Sequence, residues 1–312
     1  MNFKSLAMGL AVASLGLAAC SDAFLEEKKN YNNFTSDIYN YYSGANARIS
    51  DLYQACQPNI QASRTYQFPS MGYSDELSQS TEEYYGFSKF VDPRETMQTV
   101  SGTSQSYDYF DYAWGRIRNV NDAIAGIENS TLSQEEKDEL LGQAYFFRAW
   151  LYTNLIQRYG GVPIIKDVYG LGDEYNATRA TFDECVDFIL ADLKLAKELL
   201  PEYDKAVLGR ANKDIAMAVE ARLTLIAASA WFNDESDPTP SNPLTKGAYS
   251  KTKWDRALQA NKAFLDQCGS HYSLPAKYSD FWTNPNSTEI IWAKYYNNTS
   301  GDLAGRTAKA QY

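Results

Sequence analysis

Residues Gly142 to Ile165 read GQAYFFRAWLYTNLIQRYGGVPII, and this stretch decides the fold. Apolar and aromatic residues crowd it as far as Tyr159 without a helix breaker. Upstream, Ser133 and Glu136 form a capping-box pattern, in which each side chain meets the other residue's backbone N–H. The spacing predicts a helix from there to about Tyr159. Gly160-Gly161 stops it, and Pro163 prevents its continuation. Val162 to Ile165 then reads as a short extended piece. Arg148, inside the apolar run, is read as one half of an internal ion pair. Arg158 suits a helix C-terminus, where a cation meets the negative end of the dipole. Ligand binding is the competing reading for both. The paired glycines do not make a phosphate loop, because no G-x-x-x-x-G-K pattern surrounds them.

Outward from this stretch the chain reads as more helices. Apolar residues recur at helical spacing over 36–57, 105–128, 212–232 and 252–267. Thr181 with Glu184 opens another helix, running to about Leu200 and stopped at Pro201. The helices read as antiparallel pairs, 105–128 with 134–159 and 181–200 with 212–232. Such pairs resemble degenerate tetratricopeptide-like repeats of irregular spacing; a one-off helical bundle is the alternative. Residues 233–250 form a loop rich in Pro, Asn, Asp and Ser, and Glu289 to Ala293 reads as a strand. The expectation is an all-α fold with less than about 10% strand over 36–312, against the usual 20–25%.

The N-terminus carries a targeting signal. Lys4 precedes an apolar run from Leu6 to Leu17, which is too short for the roughly 20 residues a bilayer core requires. The run closes as Leu17-Ala18-Ala19-Cys20, where small residues before a cysteine fit the narrow cleft of a lipoprotein signal peptidase. Residues 1–19 are thus read as a signal peptide, with Cys20 the lipidated first mature residue. Residues 20–35 are read as a tether and 36–312 as the helical domain. Ser21, Asp22, Glu26 and Glu27 resemble outer-membrane sorting and surface-export signals.

Composition limits the partners. The net charge of -10 disfavours nucleic acid, whose phosphates reward clustered Lys and Arg. Beyond Cys20 the cysteines are Cys56, Cys185 and Cys268, and His271 is the only histidine. No C-x-x-C or Cys/His ligand spacing is present, which argues against a zinc site. Three buried thiols are favoured over one disulfide, and the sequence leaves both that choice and bound calcium open. His271 has no nucleophile pattern beside it and reads as a surface or interface residue. The N-x-S/T matches fall in Asn- and Thr-rich loops and carry no weight.

Aromatic residues are abundant: 24 Tyr, 14 Phe and 6 Trp. Tyr and Trp join an apolar face to a polar edge, which suits sugar rings, although most of these side chains are expected to pack helices. Residues 58–104 have no sustained period, carry several Pro and Gly, and form a long connection of the kind that is usually functional. Within them Arg64, Tyr66, Tyr73, Asp75, Glu76, Tyr84, Tyr85, Phe87 and Lys89 alternate aromatic faces with groups that bind hydroxyls. A second aromatic cluster is Phe281, Trp282, Trp292, Tyr295 and Tyr296. The ligand-binding candidates drawn from both are Tyr73, Asp75, Tyr84, Tyr85, Phe87, Trp282, Tyr295 and Tyr296. No catalytic residue, cofactor or metal is assigned.

Four stretches carry a resemblance to a known family: YAWGRIRNVNDAI from Tyr112 to Ile124, Gly142 to Ile165, Arg179 to Pro201, and GRANKDIAMAVEARLTLIAA from Gly209 to Ala228. Together with the cysteine motif they resemble the SusD/RagB family of outer-membrane nutrient-binding lipoproteins. Gln143 stands where the family more often has Glu. Family members run well past residue 312, so the resemblance implies that the C-terminal part of the family fold is missing here. It also implies a helical scaffold whose loops capture an oligosaccharide or peptide. The ligand would pass to a SusC-type TonB-dependent transporter in the outer membrane, with no catalysis by the captor. Asp75-Glu76 stands where family members often carry an acidic pair. The alternatives are a helical-repeat scaffold protein of an outer-membrane complex and a surface glycosidase, which two carboxylates at fixed separation would suffice to make.

Overall fold

In the computed structural model, both capping-box patterns form. The Ser133 and Thr181 hydroxyls accept from the Glu136 and Glu184 backbone N–H groups, and each glutamate accepts from the backbone N–H of its cap residue. These caps satisfy N–H groups that a helix start otherwise leaves open. The described residues are 37–55, 109–170, 172–174, 176–277, 284 and 287–293. They form α1 (Tyr42–Ala55), α2 (Tyr109–Glu128), α3 (Gln134–Tyr159), α4 (Phe182–Leu199), α5 (Lys213–Ala228) and α6 (Lys251–Cys268), with short 3-10 turns at Ile38–Asn40 and Tyr203–Lys205. No strand occurs among the described residues. The strand expected at Glu289 to Ala293 is instead a turn, closed by the Ile290 N–H on the Ser287 carbonyl at 3.0 Å, followed by irregular chain.

The centre is α3. From Leu140 to Ile156 it is buried on every side except at Tyr145, the mark of an inner helix rather than a surface one. Helices α1, α2, α4 and α5 all contact it. The expected pairing of α2 with α3 is present, but α3 packs even more extensively on α4, and α5 packs more on α6 than on α4. An inner helix must bury more than one face, so the helices form a continuous stack rather than isolated pairs. The core includes Phe146, Phe147, Tyr152, Leu155, Ile189 and Leu193. Full burial of each large apolar side chain contributes about 1.5–3 kcal/mol.

Helix α3 stops where its sequence says. Gly160 has φ 71°, and its N–H caps the Ile156 carbonyl at 3.0 Å. A Cβ there would overlap the Leu244 carbonyl, which itself accepts from the Gly161 N–H at 2.6 Å. Arg179 donates to the Tyr159 and Gly161 carbonyls at 2.6 and 2.7 Å, closing the helix end with positive charge. Arg158 turns back to the Asn154 carbonyl at 2.9 Å. Beyond the glycines the extended piece is pinned by Tyr152, whose hydroxyl accepts from the Ile165 N–H at 2.8 Å and donates to the Pro163 carbonyl at 3.2 Å.

Arg148 forms the internal ion pair expected of it. Its Nε and Nη2 reach the two oxygens of Asp192 on α4 at 2.7 and 2.8 Å. Its Nη1 donates to Asn121 of α2 at 3.1 Å, and Asn121 donates on to the Ile165 carbonyl at 3.0 Å. Three helices and the extended piece are thereby fixed in register. Cys185 and Cys268 are buried free thiols.

Candidate functional site

The scaffold sets where the aromatic segments of the chain begin and end. Tyr53, near the end of α1, packs edge-on against Phe147 with ring centroids 4.6 Å apart. Its hydroxyl donates to Gln143 Oε1 and accepts from the Ala211 N–H, both at 2.7 Å. Gln143 Oε1 also accepts from Arg210, whose guanidinium lies over the Tyr53 ring. Trp292 packs on the same part of α3. Its ring lies 5.2 Å from Phe146, 5.6 Å from Trp150 and 6.5 Å from Phe147, and its Nε1 donates to the Gly209 carbonyl at 3.1 Å. Each edge-to-face pair adds about 0.5–1.5 kcal/mol beyond area burial.

Trp292 is therefore a core residue, 6% exposed, and not the open stacking platform its aperiodic surroundings predict. The remaining ligand candidates, Tyr73, Asp75, Tyr84, Tyr85, Phe87, Trp282, Tyr295 and Tyr296, lie outside the described residues, as do Cys20, Arg64, Tyr66, Glu76, Lys89, Phe281 and Cys56. What is visible is the attachment of two segments, 56–108, which contains Tyr73, Asp75, Tyr84, Tyr85 and Phe87, and 294–312, which contains Tyr295 and Tyr296. Residues 56–108 leave from α1 just past Tyr53, and residues 294–312 leave from Ala293 just past Trp292. Both points of departure rest on Phe147.

The other end of 56–108 is fixed elsewhere on α3. The Phe110 N–H donates to the Tyr159 hydroxyl at 3.1 Å, and the Phe110 ring packs on Tyr159 and Trp114 at 5.3 and 5.4 Å. Phe147 and Tyr159 are twelve residues apart on α3, about 18 Å of helix. An extended chain covers that in about six residues, so 56–108 is far longer than a connector requires. Beside its re-entry lies a mainly apolar cleft of about 480 Å³, lined by Phe110, Trp114, Ile117, Arg118, Ile165 and Tyr169 among others.

A second cleft, of about 370 Å³, lies between the 203–212 segment and the turn after α6. There Tyr203 and His271 stack with centroids 4.4 Å apart and planes 11° apart. His271 Nδ1 pairs with Asp214 Oδ2 at 2.7 Å, at the first turn of α5. The chain gave no sign of this group, because Tyr203, Asp214 and His271 are distant in sequence and none sits in a motif. Among the described residues no cluster of side chains could hold a metal ion, and no helix is long and apolar enough to cross a membrane.

Residues 23–225 match the family of SusD-like proteins described as starch-binding and associating with the outer membrane. The chain belongs to this SusD-like family. A SusD-like protein of Bacteroides ovatus is 25% identical over 241 residues, which cover 75% of this chain and 42% of the relative. The chain thus spans less than half the length of this SusD-like relative. A SusD-like carbohydrate-binding protein of Bacteroides fragilis has a TM-score of 0.60 at 18% identity, over 84% of this chain and 47% of its own. A laminarin-binding SusD-like protein has a TM-score of 0.61 at 17% identity, over 83% and 52%. These likenesses establish the SusD-like helical fold.

Proposed function

We propose that this protein captures an oligosaccharide at the cell surface without cleaving it and hands it to a SusC-type TonB-dependent outer-membrane transporter. In this reading Cys20 bears the lipid anchor, residues 20–35 form the tether, and the helices are scaffold. The ligand meets Tyr73, Asp75, Tyr84, Tyr85 and Phe87 from one segment, Tyr295 and Tyr296 from the other, and Trp282 from the chain ahead of Asn284. The observation that carries the reading is the shared footing of Tyr53 and Trp292 on Phe147, from which both aromatic segments depart. Side chains from the two segments are then available to one ligand. Membership in the SusD-like family and the laminarin-binding relative point to a glycan. The net charge of -10 favours a neutral one.

Calorimetry of the full chain with starch- and laminarin-derived oligosaccharides tests capture. Replacing Tyr84, Tyr85 or Trp282 with Ala should weaken binding by about 1–3 kcal/mol, as loss of a buried binding anchor does, with the melting temperature nearly unchanged. Variants that unfold early, or bind as wild type does, would remove these residues from the site. A rise in reducing ends over time would replace capture with glycosidase activity. Hand-over is tested by recovering the native protein from membranes and asking whether a TonB-dependent transporter accompanies it.

A further inference from the structure

Helix α6 turns two faces to its neighbours and a third outward. Asn261 donates to the Ala221 carbonyl at 3.0 Å and the Cys268 sulfur lies 3.7 Å from that of Met217, so α6 runs antiparallel beside α5. Lys253 pairs with Asp183 at 2.7 Å and Arg256 with Asp187 at 3.1 Å, which ties a second face to α4. The outward face carries Trp254, Leu258 and Leu265, which are 46%, 67% and 67% exposed. Their spacing of four and then seven residues puts them on one stripe of the helix. Leu225 of α5, 48% exposed, lies near the middle of α6, because the Asn261 contact with Ala221 sets it level with Ala257. Large apolar side chains gathered on one exposed face mark an interaction site.

The charges beside this stripe indicate the partner. Lys251, Asp255, Lys262 and Asp266 are all exposed and form a second row along α6, again at helical spacing. Lys262 pairs with Asp266 one turn on, at 2.7 Å. Among the described residues, none of the four pairs with α4 or α5 in the manner of Lys253 and Arg256. Their order is plus, minus, plus, minus, which is its own complement when the helix lies antiparallel on a copy of itself. With a two-fold axis near Leu258, Lys251 meets the partner's Asp266, Asp255 meets the partner's Lys262, and Trp254 meets the partner's Leu265. We propose that this face pairs with the same face of a second copy of the chain, as an isologous dimer with the apolar stripe inside and the four charges along a rim. The charges set the register and the apolar residues supply the contact area. Two helices per copy make a small interface, so the dimer dissociates on dilution. The proposal is independent of glycan capture.

Sedimentation equilibrium of the full chain with Cys20→Ser, which removes the proposed lipid site, should show monomer and dimer exchanging with concentration. Leu258→Glu should raise the dissociation constant at least about tenfold, by placing like charges together at the two-fold axis, with helix content unchanged by circular dichroism. Association that ignores Leu258→Glu runs through another surface and overturns the proposal. The register is tested by swapping charges in pairs. Lys251→Asp with Asp255→Lys, and separately Lys262→Asp with Asp266→Lys, each keep the net charge but set like against like across the axis. Each variant alone should be monomeric, whereas a mixture of the two is complementary at all four contacts and should form a heterodimer. A mixture that fails to pair, or either variant dimerising alone as tightly as the parent chain, overturns the proposal. A parent chain that stays monomeric at every concentration also overturns it and leaves the stripe to a different partner.

Discussion

Arg148 and Asp192 meet through two parallel hydrogen bonds of 2.7 and 2.8 Å in the interior, with side chains only 8% and 4% exposed. Burial pushes the Asp192 carboxyl up and the guanidinium draws it back. Such a pair gains little over well-packed apolar residues, yet either half alone is an uncompensated buried charge. Asp192→Ala should therefore cost about 3–5 kcal/mol in urea unfolding, and the double change Arg148→Met with Asp192→Leu should recover most of it. A double variant no better than the single one would show that the Asn121 link, and not the charge, is what the pair protects.

Trp292→Ala should cost about 3–5 kcal/mol, because it empties a fully packed aromatic site. The measurement is a thermal melt set beside that of Trp282→Ala. Equal stability of the two variants would contradict the core placement of Trp292.

The Asp234 carboxyl is drawn from its ordinary 3.8 to about 2, first by the Ser236 hydroxyl, then by Lys246 and the Ser236 N–H. Its distances to these groups are 2.6, 3.0 and 2.9 Å. The folded carboxyl loses its proton more readily than the unfolded one. Its contacts thus add to stability above about pH 3.8 and are lost as the pH falls through about 2. Protection of the amides across 234–247, taken relative to their intrinsic exchange rate at each pH, should fall over that interval. Asp234→Asn should exchange quickly at pH 5 already, and slow exchange there would refute the assignment.

Cys20→Ser should abolish palmitate labelling and leave an unprocessed or soluble product. Normal labelling of that variant would move the anchor elsewhere.

The parts of the fold that were legible in the sequence are the local ones. Ser133 with Glu136 and Thr181 with Glu184 act over three residues, and Gly160 stops a helix by its own backbone conformation. The pairing of Arg148 was legible as a need, because a guanidinium in an apolar helix requires a carboxylate. Its partner was not, since Asp192 lies 44 residues away among other acidic side chains. Trp292 misled because an aromatic outside any periodic segment reads as surface, whereas here irregular chain carries the ring into the core. The cleft at His271 was invisible for the same reason: turns, not periodicity, bring Tyr203, Asp214 and His271 together.

The fixing of both ends of residues 56–108 on α3, at Tyr53 on Phe147 and at Phe110 on Tyr159, bears on how such a protein diversifies. The entropy of closing a connection between two fixed ends grows only slowly with its length, by about 0.6 kcal/mol for each doubling. The insert can therefore lengthen, shorten or be exchanged at small thermodynamic penalty so long as its two hinge rings are kept. The helical stack is then a chassis with a replaceable cassette. On the proposed reading, in which residues 56–108 meet the ligand, placing a relative's corresponding segment between Ala55 and Tyr109 should change specificity on the same frame.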